Sequence, residues 1–121
     1  MRVLIVEKDD VIKTVYQSEL HQQNITVDLA SDGKEAYDLA QKNKPDLIVT
    51  ELILPKMNGF ELLEKIKNDK KLKDVKVIIS SLLAQKSDID EAITLGAHKY
   101  LQKDLFSQKQ VVEEIIKQLM E

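Results

Sequence analysis

The sequence has no cysteine and no tryptophan, only 3 glycines and 2 prolines, and aromatic residues fill just 4% of its 121 positions. Without cysteine there is neither a disulfide framework nor thiolate chemistry, which suits a reducing compartment and makes a cytoplasmic protein the expectation. Gly33, Gly59 and Gly96 each stand alone. Isolated glycines cannot write a P-loop or a dinucleotide fingerprint, so nucleotide-dependent enzymes are excluded. A membrane helix takes about 18 or more consecutive apolar residues. The N-terminal run Val3 to Val6 stops at Glu7, too short even for a signal peptide, and no membrane contact is expected. Lys+Arg 18 against Asp+Glu 21 leaves a net charge of -3. With neither a basic field nor a stacking platform, direct nucleic-acid binding is not expected. His21 and His98 lack companions at metal spacing, so no zinc site is expected. Ser81 has no histidine placed to act as its base, and hydrolase chemistry has no support.

What the sequence does contain is alternation. Short apolar runs at Val3 to Val6, Ile25 to Leu29, Leu47 to Val49, Val75 to Ile79 and Tyr100 to Leu101 are separated by stretches of helical period. The first such stretch carries Val11, Ile12, Val15, Tyr16 and Leu20 on one stripe, and the last carries Val111, Val112, Ile115, Ile116 and Leu119. Asp32 precedes Glu35 by three and Ser107 precedes Gln110 by three, both helix-start patterns, while Gly96 reads as a helix C-cap. Strands one, three and four are almost continuously apolar, as strands buried on both faces of a parallel sheet are. The expected fold is α/β: one domain over residues 1–121, a doubly wound five-stranded parallel sheet with helices on both faces. In such open sheets the site lies beyond the carboxyl ends of the strands.

Reading those ends in order gives Glu7 and Lys8, then Glu51, then Ser81, then Lys103. Any one polar residue after a strand is ordinary; four charges and a hydroxyl arriving together are not. Val3-Leu4-Ile5-Val6-Glu7, the segment Pro45-Asp46-Leu47-Ile48-Val49-Thr50-Glu51 followed by Leu54-Pro55-Lys56-Met57-Asn58-Gly59, then Asp88, Leu95-Gly96-Ala97 and Tyr100-Leu101-Gln102-Lys103 stand at consistent spacings. Together these motifs resemble the receiver domain of two-component response regulators, from Arg2 to Leu119. The resemblance implies that Glu51 occupies the phosphoacceptor position, Glu7 and Lys8 the acidic pair that would hold Mg²⁺, Ser81 and Tyr100 the switch positions, and Lys103 the pocket lysine.

The pattern is broken where the family does its chemistry. Aspartate is replaced by Glu51, Lys8 stands where the second acid of the pair would be, Leu82 where a small residue is usual, and Asp104 where proline is usual. Summing Glu7 and Glu51 against Lys8 and Lys103 gives zero, so the pocket reads as self-neutralised, with the Lys8 ammonium in place of a metal ion. On that reading Mg²⁺ binding is lost or weak, no cofactor is needed, and Lys8→Ala destabilises the fold. Glu51, longer than aspartate by one methylene, either imitates the activated state in part or is locked to Lys8. The expected function is a receiver-like signalling module that is not an enzyme and acts by binding protein, independently of aspartyl phosphorylation. Its contact face would be the fourth helix, fifth strand and last helix. A histidine kinase, an output domain or a second copy of the chain are the partner classes the resemblance implies. The alternative is a working receiver that uses Glu51 as acceptor with residual divalent-metal binding.

Overall fold

A computed structural model describes all residues from Met1 to Glu121. Five strands alternate with five helices: β1 (Arg2–Val6), α1 (Asp10–Gln22), β2 (Thr26–Ala30), α2 (Gly33–Lys42), β3 (Leu47–Thr50), α3 (Gly59–Lys67), β4 (Lys76–Ser81), α4 (Lys86–Thr94), β5 (Lys99–Gln102) and α5 (Gln108–Leu119). All neighbouring pairs are parallel and the sheet order is β2-β1-β3-β4-β5. Each expected strand is present with its ends moved by one or two residues.

Period-2 alternation explains why the central strands look uniformly apolar. In β1, Leu4 and Val6 join a cluster with Ile48, Val77 and Ile79 that α2, α3 and α4 cover. Val3 and Ile5 point the other way, into a cluster with Val49, Ile78, Tyr16 and Val111 under α1 and α5. Away from the strand ends both faces are inside, so both sets of alternating positions are apolar there. The edge strand β2 is only partly buried, and Arg2 Nη1 donates to Asp28 Oδ2 across its margin at 2.7 Å. No helix of the chain is long and apolar enough to cross a membrane.

Caps fix the helix starts. Asp9 accepts from the amides of Val11 and Ile12 at the head of α1. Asn58 and Ser107 form capping boxes with Glu61 and Gln110 on α3 and α5. Asp32 takes the Glu35 amide at 2.8 Å as expected, but the Glu35 carboxylate reaches one residue further back, to the Ser31 amide at 2.7 Å. Gly96, just past the Leu95 C-cap, has φ 109 and closes α4 in the left-handed region.

The stripe expected on α1 is corrected at its first position. Val11 is 72% exposed, while Lys13 is 8% exposed and bonds Ser31 Oγ. At about 100° per residue, Val11 lies about 140° around the helix from the buried Tyr16. The inward side is carried by Ile12, Lys13, Tyr16 and Leu20.

The order β2-β1-β3 reverses the direction of winding between β1 and β3. The helices leaving those two strands pass to opposite faces, and a crevice is left at their carboxyl ends. Glu7 and Glu51 are the first residues beyond those ends.

Candidate functional site

Backbone bonds hold both glutamates at the crevice. The Glu7 amide donates to Ala30 O at 3.0 Å, the Glu51 amide to Val6 O at 3.0 Å, and the Lys103 amide to Ser81 O at 2.7 Å. The ladders of the sheet thus extend one residue past the strands and carry three site residues with them.

Glu7 and Glu51 are each only 4% exposed, and Ser81 is fully buried. The Lys103 ammonium sits between the two carboxylates, paired with Glu7 Oε1 and, at 3.0 Å, with Glu51 Oε2. Burial pulls the Lys103 pKa down, but the bonds to Glu7 and Glu51 outweigh it and leave the ammonium above its ordinary value. Glu51 Oε1 faces the other way. It accepts the Leu52 amide at 2.7 Å, the Ile53 amide at 3.2 Å and the Ser81 hydroxyl. The extra methylene of glutamate lets one carboxylate reach both its own following turn and the lysine. Glu7 Oε2 accepts the Asp9 amide at 3.1 Å.

From Glu51 a hydrogen-bonded path runs to the surface. Ser81 Oγ donates to Glu51 and accepts the Leu83 amide at 3.2 Å; Leu83 O in turn accepts the Tyr100 hydroxyl at 2.6 Å. Burial raises the Tyr100 pKa, so the phenol stays protonated and keeps donating at neutral pH. The residues expected as switch positions, Ser81 and Tyr100, are therefore joined to Glu51 through one loop of backbone.

Lys8 is the exception. It is exposed at the rim and makes no ion pair, so the neutralising cation is Lys103 and the expected lock between Lys8 and Glu51 is not formed. The inner charge is that of Glu7, Glu51 and Lys103, a sum of minus one. The physical reason is direction: Val6 faces the cluster under α2, α3 and α4, Glu7 turns into the crevice, and the next side chain swings outward. The destabilisation expected for Lys8→Ala is accordingly replaced by a neutral outcome, within about 0.5 kcal/mol of wild type in chemical denaturation. A loss above about 1.5 kcal/mol would restore the earlier assignment. Leu82 is 62% exposed on the same rim.

Two residues of the site had no sequence signal. Tyr16 and Ser80 reach the crevice from the α1 and α5 side. Ser80 Oγ is buried and has no hydrogen-bond partner; the Tyr16 hydroxyl is nearby, but the pair does not meet hydrogen-bond geometry. The one available clue was parity, since Ser80 shares a strand face with Ile78 and not with Ser81.

Comparison with known proteins agrees with this fold. A family model described as the response regulator receiver domain matches residues 3–116. A probable transcriptional regulator, ycf29 of Porphyra purpurea, is 37% identical over 101 residues, covering 84% of this chain and 48% of that protein. The alkaline phosphatase synthesis transcriptional regulatory protein PhoP of Bacillus subtilis is 34% identical over 112 residues, covering 91% and 45%. The chain thus spans about half the length of these curated relatives. Among solved structures, the non-phosphorylated HemR receiver domain of Leptospira biflexa superposes with TM-score 0.87 at 30% identity, over 98% of this chain and 93% of that one. The chemotaxis response regulator CheY4 of Vibrio cholerae gives TM-score 0.87 at 24% identity, over 98% and 97%. With its five-stranded parallel sheet, its strand-end lysine and its matched length, the chain belongs to the response regulator receiver domain family.

Proposed function

We propose that residues 1–121 act as one receiver module of two-component signalling that works without phosphoryl transfer to position 51. The observation that carries this is the way the Glu51 carboxylate is tied down on both of its oxygens. One oxygen takes two backbone amides and a hydroxyl, and the other takes the lysine. Attack through Oε1 would first have to break three hydrogen bonds, and Oε2, though it keeps one lone pair, shares its charge with the Lys103 ammonium and is a weaker nucleophile for it.

The divalent cation that the family implies does not fit these residues. Mg²⁺ demands near-octahedral oxygen ligation. Glu7 gives one oxygen to Lys103 and the other to the Asp9 amide, and Asp9 caps α1. No group of three metal-ligating side chains converges anywhere in the chain. Both points support a site with too few free side-chain oxygens to hold Mg²⁺.

Glu51 instead takes the part of a permanent substituent. It draws on Ser81, and the loop between Ser81 and Leu83 holds Tyr100, so the state of the pocket reaches the surface made by α4, β5 and α5 without a covalent input. That surface is where a protein partner binds on this reading, an output domain, a histidine kinase or a second copy, through residues such as Gln85, Lys99 and Gln108. Lys99 there is already held by Glu114 at 2.6 Å.

Incubation with millimolar Mg²⁺ and acetyl phosphate tests the proposal. Intact-mass spectrometry should find no phosphoryl adduct, and amide signals around Glu51 should stay in place. An adduct mapped to Glu51, stable or turning over, defeats it in favour of a phosphoaccepting glutamate.

A further inference from the structure

The end of the sheet where the strands begin, opposite the crevice, gathers charge of one sign. Leu47 of β3 pairs with Lys76 of β4, so residues 42–46, leading into β3, and residues 67–76, leading into β4, run side by side. Lys71 Nζ donates to Gln41 O and ties the second segment to the end of α2. Together the two segments hold seven lysines and three aspartates, in a chain whose net charge is -3. Lys42, Lys44, Lys70, Lys71 and Lys73 are exposed, and none of them forms an ion pair. Elsewhere Lys13, Lys34, Lys56, Lys86, Lys99 and Lys103 each have a carboxylate partner.

Along the chain the aspartates alternate with these lysines, but in the fold two of the three are bonded to other groups. Asp69 turns back on its own loop and accepts from the Lys71 amide at 2.8 Å, the Leu72 amide at 3.2 Å and the Tyr37 hydroxyl at 2.5 Å. Asp46 accepts the Arg2 amide at 2.8 Å. Their charges still count in the balance, yet their oxygens are taken. Asp74 is the one carboxylate of the three left without such a bond. Lys67 donates to Val75 O at 2.8 Å and to Lys73 O at 3.3 Å, which fixes the turn that displays the exposed lysines.

We infer that this end of the sheet docks an acidic, extended segment of a partner protein, its carboxylates facing Lys42, Lys44, Lys70, Lys71 and Lys73. The makeup of the surface selects against other polyanions. Neither segment contains arginine, so the bidentate grip on phosphate is missing. Tyr37, the aromatic ring bonded to this turn, is covered by Lys65 at 5.0 Å and spends its hydroxyl on Asp69, which leaves no platform for a nucleic-acid base. Pro45, Leu72 and Val75 are buried, so no apolar side chain of the two segments is free to enter a lipid layer. What remains is a set of ammonium groups on flexible stems, which pair with carboxylates that a pliable acidic chain can bring to each. Lys44 precedes the amino end of β3 and Glu51 follows its carboxyl end, so the docking surface stands apart from the pocket on which the proposed function rests.

The test is an amide titration of the full ¹⁵N-labelled chain at about pH 7 with a glutamate-serine repeat peptide and with the same peptide carrying glutamine for glutamate. Mixed-sequence duplex DNA and phosphatidylglycerol vesicles are added separately, at the charge concentration of the glutamate peptide. The expected result is saturable movement of the Lys44, Lys70, Lys71 and Lys73 signals with the glutamate peptide, none with the glutamine peptide, and weaker binding of DNA and vesicles. Raising salt from about 0.03 M to about 0.3 M should weaken the glutamate peptide about tenfold, because exposed charges are screened. Lys70→Gln, Lys71→Gln and Lys73→Gln combined should also weaken it about tenfold, whereas Lys34→Gln, at a lysine paired with Asp38, should leave it unchanged. Equal binding of the glutamine peptide, movement at Glu51 and Leu82 in place of the lysine signals, indifference to salt, or full affinity in the combined variant would each overturn the assignment. Tighter binding of DNA or of vesicles would overturn it as well and give the surface to that class of partner. The salt series and the glutamine peptide use the unaltered chain, so they decide the matter whether or not the combined variant folds.

Discussion

Lys103→Ala is expected to lower stability by about 3 kcal/mol at neutral pH, the low end of the range for breaking a buried ion pair. The low end applies because the lysine side chain keeps 16% exposure while its partners are at 5% and 4%. In a domain of this size that amounts to a melting temperature lower by about 10 °C. The cause is what remains behind: two nearly buried carboxylates with no cation between them. The pH dependence has a definite sign. In the wild type the ammonium lies above its ordinary pKa, so its contribution is complete below that value and fades only as pH climbs through the raised one. Between pH 5 and 8 it is constant. In the variant, two facing buried carboxylates take up a proton more readily than isolated ones. Its deficit is therefore largest near pH 8 and shrinks as pH falls toward 5. Lys103→Met, which keeps the chain volume and loses the charge, should behave the same way. Melts of the three proteins at several pH values check this; a deficit independent of pH would mean that lost packing, not the unpaired carboxylates, accounts for it.

Gly59→Ala should cost about 1 to 3 kcal/mol, read as a lower urea midpoint with an unchanged slope. A methyl group at Gly59 would lie 2.4 Å from the carbonyl oxygen of Glu51 and 2.7 Å from Leu52 Cα. Both are backbone atoms, and neither can step aside as a flexible side chain can. Relief must come from moving the segment after β3, which carries the Leu52 and Ile53 amides that hold Glu51 Oε1. The variant should accordingly show changed amide signals at Ser81 and Leu83 as well as at Glu51. Alanine tolerated without loss of stability would show that this segment has slack.

The sequence alone made most of the scaffold legible, because its signals are local. Short apolar runs, the helix-start patterns at Asp32 and Ser107, and a glycine after α4 each determine a short stretch irrespective of the rest. The convergence of Glu7, Glu51, Ser81 and Lys103 was legible for the same reason, since parallel strands of one sheet deliver their ends to one side. Direction was not. Lys8 counts as a charge wherever it points, and only the turn after β1 decides that it points outward. Val11 failed for a related reason: the start of α1 is fixed by Asp9, and a stripe drawn one residue early includes a position on the far side. The two amides on Glu51 belong to the backbone and have no letter in the sequence. Tyr16 and Ser80 come from segments more than sixty residues apart, and their meeting depends on how α1 settles on β4.

The single lysine shared by two glutamates also constrains how this chain can drift in sequence. Restoring an aspartate at position 51 shortens the reach to Lys103 and to the Leu52 turn at once. An acid at position 8 would stand on the exposed rim, outside the inner trio, and would leave the pairing of Lys103 with its two partners as it is. A change at position 51 is therefore felt at Lys103, at Ser81 and in the Leu52 turn together, and the Glu7, Lys103 and Glu51 arrangement resists piecemeal substitution.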